Sequence, residues 1–103
     1  MTTFKLKRRP TPPGAMLREM YLKPRGISVT SFAAALGCSR KHLSDIVNDR
    51  ARLDPTLAAR VAKLLGTSTA LWVGLQAGVD AFDAERVARR WKPPATFRVT
   101  AAE

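Results

Sequence analysis

The sequence holds one cysteine, Cys38. A single thiol excludes an internal disulfide and a thiolate metal cluster, and it points to a reducing compartment. Cys38 sits where a turn wants a small apolar side chain and reads as packing. There is also one histidine, His42. It has no companions for a metal site and no oriented partner for acid–base work. No Ser/His/acid arrangement, paired acid site or phosphate-cradling glycine loop is present. An enzyme is therefore not expected, and no cofactor, metal or small-molecule substrate is implied. No apolar run approaches the span of a bilayer, and no signal-peptide core follows the basic start, so no membrane role is expected. Acids are scarce: 8 Asp plus Glu stand against 18 Lys plus Arg, a formal +10 on 103 residues. That excess implies a polyanionic partner such as DNA, RNA, an acidic protein or anionic lipid.

What is present is a chain of helical patterns. Residues 1–13 form a basic arm with Lys5, Lys7, Arg8 and Arg9 before Pro10, Pro12 and Pro13. The prolines favour extended backbone, and such an arm can lie along phosphates or in a minor groove. A first helix over 14–22 carries Met16, Leu17, Met20 and Tyr21 at helical spacing and stops before Pro24. Ser28 caps a second pattern over Val29–Leu36, which Gly37 ends. Ser39 caps a third, running to Val47 or Asn48. Leu43, Ile46 and Val47 make its apolar side, and Arg40, Lys41, Ser44 and, at the rim, His42 its polar side. Asp54-Pro55 starts a fourth helix that Gly66 ends. Ser68 caps a fifth, whose stripe is Leu71, Trp72, Leu75, Val79 and Phe82.

The second and third patterns, joined through Gly37, have the layout of a helix-turn-helix. Side chains in the first turn of the third helix would reach base edges, and its capped N-terminus favours a phosphate. Arg50 and Arg52 lie just beyond, where backbone phosphates would pass. The fifth-helix stripe either closes the core or, at Trp72, Leu75, Val79 and Phe82, meets a second copy, since two-fold dimers cover two half-sites. The domain is expected to span 14–91. A tail over 92–103 contains Thr96-Phe97-Arg98-Val99-Thr100, an alternation compatible with a short strand.

Three stretches, RRPTPPGAMLREMYLKPRGIS, LGCSRKHLSDIVN and LAARVAKLLGTSTALWVGLQA, resemble the HigA-type antitoxins, a branch of the Xre/Cro-like helix-turn-helix proteins. The resemblance runs from Arg8 to about Asp83. PTPPG before the first helix and LGTS…LW…LQ after the fourth make it more specific than a bare helix-turn-helix. It implies an all-α, five-helix, lambda-repressor-like domain of the bacterial cytoplasm. It implies a homodimer that binds double-stranded operator DNA, represses its own operon and neutralises a HigB-type mRNA endonuclease toxin. By position it makes Arg40 and Lys41 the main base readers, with Ser44 and His42 beside them, and Ser39 and Asn48 phosphate contacts. Three positions depart from the family pattern. Val29 replaces a frequent phosphate-holding Gln, Ser31 replaces a capping acid, and Asp49 replaces a Gly at the end of the third helix. A free-standing repressor without a toxin and a small basic RNA-acting, toxin-like protein remain as alternatives.

Overall fold

A computed structural model describes residues 8–97. Its first helix, α1, begins with Pro13 at the first helical position, where a missing N–H costs nothing. It is α-helical over Pro13–Met16 and continues with wider, π-type winding over Leu17–Leu22. The Lys23 N–H donates to the Arg18 carbonyl at 3.0 Å, five residues back. That winding corrects the expected stripe. Residues five apart now share a face, so Leu17 and Leu22 are buried while Met20 is 61% exposed.

The next four helices start and stop where short-range chemistry dictates. In α2 (Val29–Leu36) the Ser28 hydroxyl accepts from the Ser31 N–H, and in α3 (Arg40–Val47) Ser39 accepts from His42. In α4 (Pro55–Leu65) Asp54 accepts from Leu57, and in α5 (Thr69–Ala88) Ser68 accepts from Leu71. Each such cap is worth about 1 kcal/mol. Gly37 at φ +79° and Gly66 at φ +72° terminate α2 and α4 in the left-handed region that a residue without Cβ enters freely. The described residues hold five helices and no strand. The expected strand falls largely outside them; of its start, Thr96 lies in a turn and Phe97 in irregular chain just after it.

The core is one cluster that includes Leu17, Phe32, Leu36, Leu43, Ile46, Val61 and Trp72. Trp72 has no exposed surface, and its indole N–H donates to the Thr67 hydroxyl at 2.7 Å. Its ring lies 5.6 Å from that of Tyr21 at a 59° tilt, an arrangement worth about 0.5–1.5 kcal/mol beyond burial. Because Leu43, Ile46 and Val47 face this cluster, the other side of α3 must face outward. The same burial corrects the proposed dimer stripe. Trp72 and Val79 are enclosed by their own chain and offer no surface to a second copy, whereas Leu75 and Phe82 are only partly covered.

Candidate nucleic-acid interface

The outward side of α3 carries Arg40, Lys41 and Ser44, and both cations are already engaged within the chain. Arg40 is exposed, and its Nε donates to the Thr30 hydroxyl of α2 at 3.0 Å. Lys41 is exposed and pairs with Asp45, one turn along, at 3.1 Å. Ser44 is half-buried on the same side. His42 lies on the flank, lining a cleft with Cys38, Asp54, Pro55 and Arg60 at the start of α4. The spacing places Lys41, Ser44 and Asn48 together and leaves His42 apart. Ser39 uses its oxygen as the cap acceptor, which leaves its hydroxyl hydrogen to donate elsewhere.

Both expected phosphate cations beyond α3 have carboxylate partners. Arg50 meets Asp45 at 3.1 Å, and Arg52 pairs with Asp80 of α5 through two hydrogen bonds. Asp45 thus sits between Lys41 and Arg50, and these cations hold its carboxyl below the usual carboxylate range, Lys41 foremost. Asp80 is lowered mainly by Arg52 and then by Gln76. The buried Gln76 side chain donates to Asp80 at 3.0 Å and accepts from the Leu53 N–H at 2.9 Å, so α5 fixes the loop that follows α3.

The far end of α3 is held from α1. Gly14 packs directly on its backbone: a Cβ there would lie 1.8 Å from the Ile46 carbonyl oxygen and 2.8 Å from the Val47 Cα. Arg18 donates to the Val47 carbonyl at 2.9 Å and to the Asn48 side chain at 3.3 Å. A cation there complements the negative end of the helix dipole. Asn48 also donates to the Ser44 carbonyl at 2.8 Å. Asp49 then turns the chain at φ +59°, alone among the described non-glycine residues in having positive φ.

Residue types and spacing did not point to Thr30, Arg18 or Gly14 as supports of α3. Thr30 and Arg18 act across 10 and 29 residues, and no local pattern encodes such contacts. Asp45 was open to discovery, because an acid four residues after Lys41 meets it on a helix. Among the described residues no group of three or more His, Cys, Asp or Glu is placed to hold a metal, and no helix is long and apolar enough to cross a membrane.

Five helices with a capped, outward-facing cationic helix entered through Gly37 define a helix-turn-helix domain of the DNA-reading class. The helix-turn-helix family matches residues 17–72. Antitoxin HigA-1 of Vibrio cholerae is 35% identical over 77% of this chain and 74% of its own length. The structure of antitoxin GraA in complex with its operator superposes with a TM-score of 0.80 at 29% identity, covering 96% of this chain and all of that one. Pseudomonas aeruginosa antitoxin HigA with the higBA promoter gives 0.73 at 27% identity, covering 86% of this chain and all of the other. The chain belongs to the helix-turn-helix family, in the branch that includes the HigA-type antitoxins.

Proposed function

We propose that this chain is a sequence-specific DNA-binding antitoxin, which represses its own operon as a two-fold dimer and neutralises a HigB-type mRNA endonuclease. The observation that carries the DNA half is the outward side of α3. It is capped at the end nearest the groove and presents Arg40 and Lys41 exposed, steadied by Thr30 and Asp45. In this reading Arg40 and Lys41 donate to the guanine O6/N7 edge, with Ser44 and His42 at the margins of the footprint. Ser39, Asn48, Arg50 and Arg52 meet phosphates, the last two by exchanging Asp45 and Asp80 for the DNA backbone.

Support for the operator comes from the relatives solved with operator or promoter DNA. Support for a toxin partner comes from the HigA and GraA antitoxins among the relatives. A two-fold contact would use what α5 and the residues just after it leave uncovered. Leu75 and Phe82 retain part of their surface, and Val87 and Trp91 are 70% and 67% exposed. One observation favours a second reading, a repressor without a toxin: other relatives of similar identity are named only as transcriptional regulators, including YbaQ of Escherichia coli at 35%.

The test combines mutation with capture. Arg40→Ala should lower affinity for the preferred duplex by about tenfold or more while leaving random DNA nearly unaffected. Arg52→Ala should weaken all duplexes alike and reduce the salt slope by about one. Gel shifts at several salt concentrations read both. Identical behaviour of the two variants overturns the assignment of roles. Co-expression with the adjacent small reading frame separates the two readings: a captured nuclease supports the antitoxin, and its absence supports the free-standing repressor.

A further inference from the structure

The residues just before α1 do not hang free. Arg9 uses all of its guanidinium nitrogens on two carboxylates from different parts of the fold. Its Nε and NH2 donate to Asp83 of α5 at 2.9 and 3.0 Å, a two-point fork, and its NH1 pairs with Asp49. Pro10, next in the chain, lies against α5, with its Cγ 3.9 Å from where a Cβ on Gly78 would sit. The chain therefore straps across α5 before turning into α1.

Asp49 is the notable partner. It stands just past the cap residue Asn48 at the end of α3, it has positive φ, and a glycine would adopt that conformation more easily. The carboxylate offers something that glycine lacks, which is a handle for Arg9. We propose that Arg9 is a positioning residue for DNA reading: by bridging Asp49 to Asp83 it fixes the exit of α3, and the Arg50–Arg52 loop behind it, against α5. Arg9 itself contacts no DNA in this account. Lysine cannot replace it, because an ammonium offers no planar fork for Asp83 together with a third donor aimed at Asp49. The loop it steadies carries two cations, and the Arg50 and Ala51 N–H groups both donate to the Asp45 carbonyl of α3. A shift at Asp49 thus reaches Asp45, and through it Lys41.

This inference rests on the DNA-binding reading, and its test has one arm that needs no DNA. In the free full-length protein, Arg9→Gln should speed hydrogen exchange of the Arg50 and Ala51 amides by about tenfold, with amides at the N-terminal end of α4 unchanged. In binding assays at fixed salt, the probes are a duplex selected from a random pool by the unmutated protein and a scrambled duplex of equal length. Arg9→Gln should lower affinity for the selected duplex by about fivefold and leave the scrambled duplex within twofold. Arg9→Lys should rescue less than half of that loss. Asp49→Gly, which relieves the backbone, should match or exceed the unmutated Tm yet show the same loss of discrimination. The double variant should be no worse than either single one, the mark of a shared interaction. Equal weakening on both duplexes, with a shallower salt slope, would make Arg9 a phosphate contact and overturn the proposal. So would unchanged exchange at Arg50 and Ala51. An unmutated protein that prefers no duplex over another sinks the DNA reading, and the positioning role with it, whatever the exchange arm shows.

Discussion

The two ends of α3 are built on opposite plans. At its start, support is light. Ser39 accepts from an N–H three residues on, Arg40 donates to one hydroxyl of the preceding helix, and the surroundings are exposed. At its finish, support is distant and tight. Gly14 touches backbone, Arg18 covers the last carbonyl, and Arg9 ties Asp49 to α5. An end that must meet a groove needs a free surface, and free surface carries few tertiary contacts. The precision of the free end must then come from the other one. An eight-residue helix is too short to stand alone and takes its orientation from whatever grips it. The difference teaches that the reading end and the orienting end of α3 are separate, and that mutations should separate them too.

The largest effect is expected where backbone meets backbone. Gly14→Ala would place a Cβ 1.8 Å from the Ile46 carbonyl oxygen and 2.6 Å from its carbon. Neither atom belongs to a side chain that can swing away, so α1 must lift off α3. The helix-propensity gain from glycine to alanine, about 1 kcal/mol at most, cannot offset that. A loss of about 3 kcal/mol in denaturant unfolding is expected. The same exchange at Gly74, on the exposed side of α5, meets no atom within 4 Å. Gly74→Ala should stabilise by about 0.5–1 kcal/mol. If both substitutions act alike, the tight grip on the end of α3 does not exist in solution.

A middling effect belongs to the open end. Ser39→Ala removes one cap bond, to the His42 N–H at 3.0 Å, and should cost about 1 kcal/mol by the same measurement. Its consequence should stay local, with amide exchange rising in the first turn of α3 and unchanged at Arg50 and Ala51. A rise that spreads to the far end would break the comparison, since it would show the two ends responding as one.

The same division decides what could be read from residues alone. The starts of α2 to α5 and the ends of α2 and α4 followed from caps and glycines, because Ser28, Ser39, Asp54 and Ser68 act within three residues. The outward side of α3 followed from the periodicity of Leu43, Ile46 and Val47. What was missed depends on distance or on a change of winding. The π-type turn of α1 moved Met20 out and Leu22 in. Trp72 and Val79 were assigned to a possible partner because a stripe on one helix does not say what covers it, and their own chain does. Arg52 was read only as a phosphate contact, and its partner Asp80 was out of view because it lies 28 residues beyond. The departure at Asp49 was visible as an oddity, but the cation that pairs with it lies 40 residues earlier, at Arg9.

The smallest effect is expected from acid. Arg9 holds the Asp83 carboxyl below its ordinary 3.8, and Arg52 does the same for Asp80. A carboxylate whose folded pKa is lowered contributes stability that is fully present above its unfolded value. That stability is lost as pH falls through the folded one. These groups should therefore leave stability flat between roughly pH 5 and 8 and erode it below about 4. The groups are exposed and screened, so the fall in Tm from pH 5 to 3 should be only a few degrees, roughly, and smaller still in 1 M salt. Arg9→Gln sharpens the comparison, because it removes the cation that depresses Asp83 and should flatten part of the acid limb. Arg40→Ala, at the open end, removes a cation whose partner is the neutral Thr30 hydroxyl and should leave the limb as it was. Melting curves of the three proteins from pH 6 to 3 at constant ionic strength decide the matter. An acid limb that Arg9→Gln does not alter would mean that the strap over α5 is not an ion pair in water, and the distinction between the two ends of α3 would then rest on Gly14 and Arg18 alone.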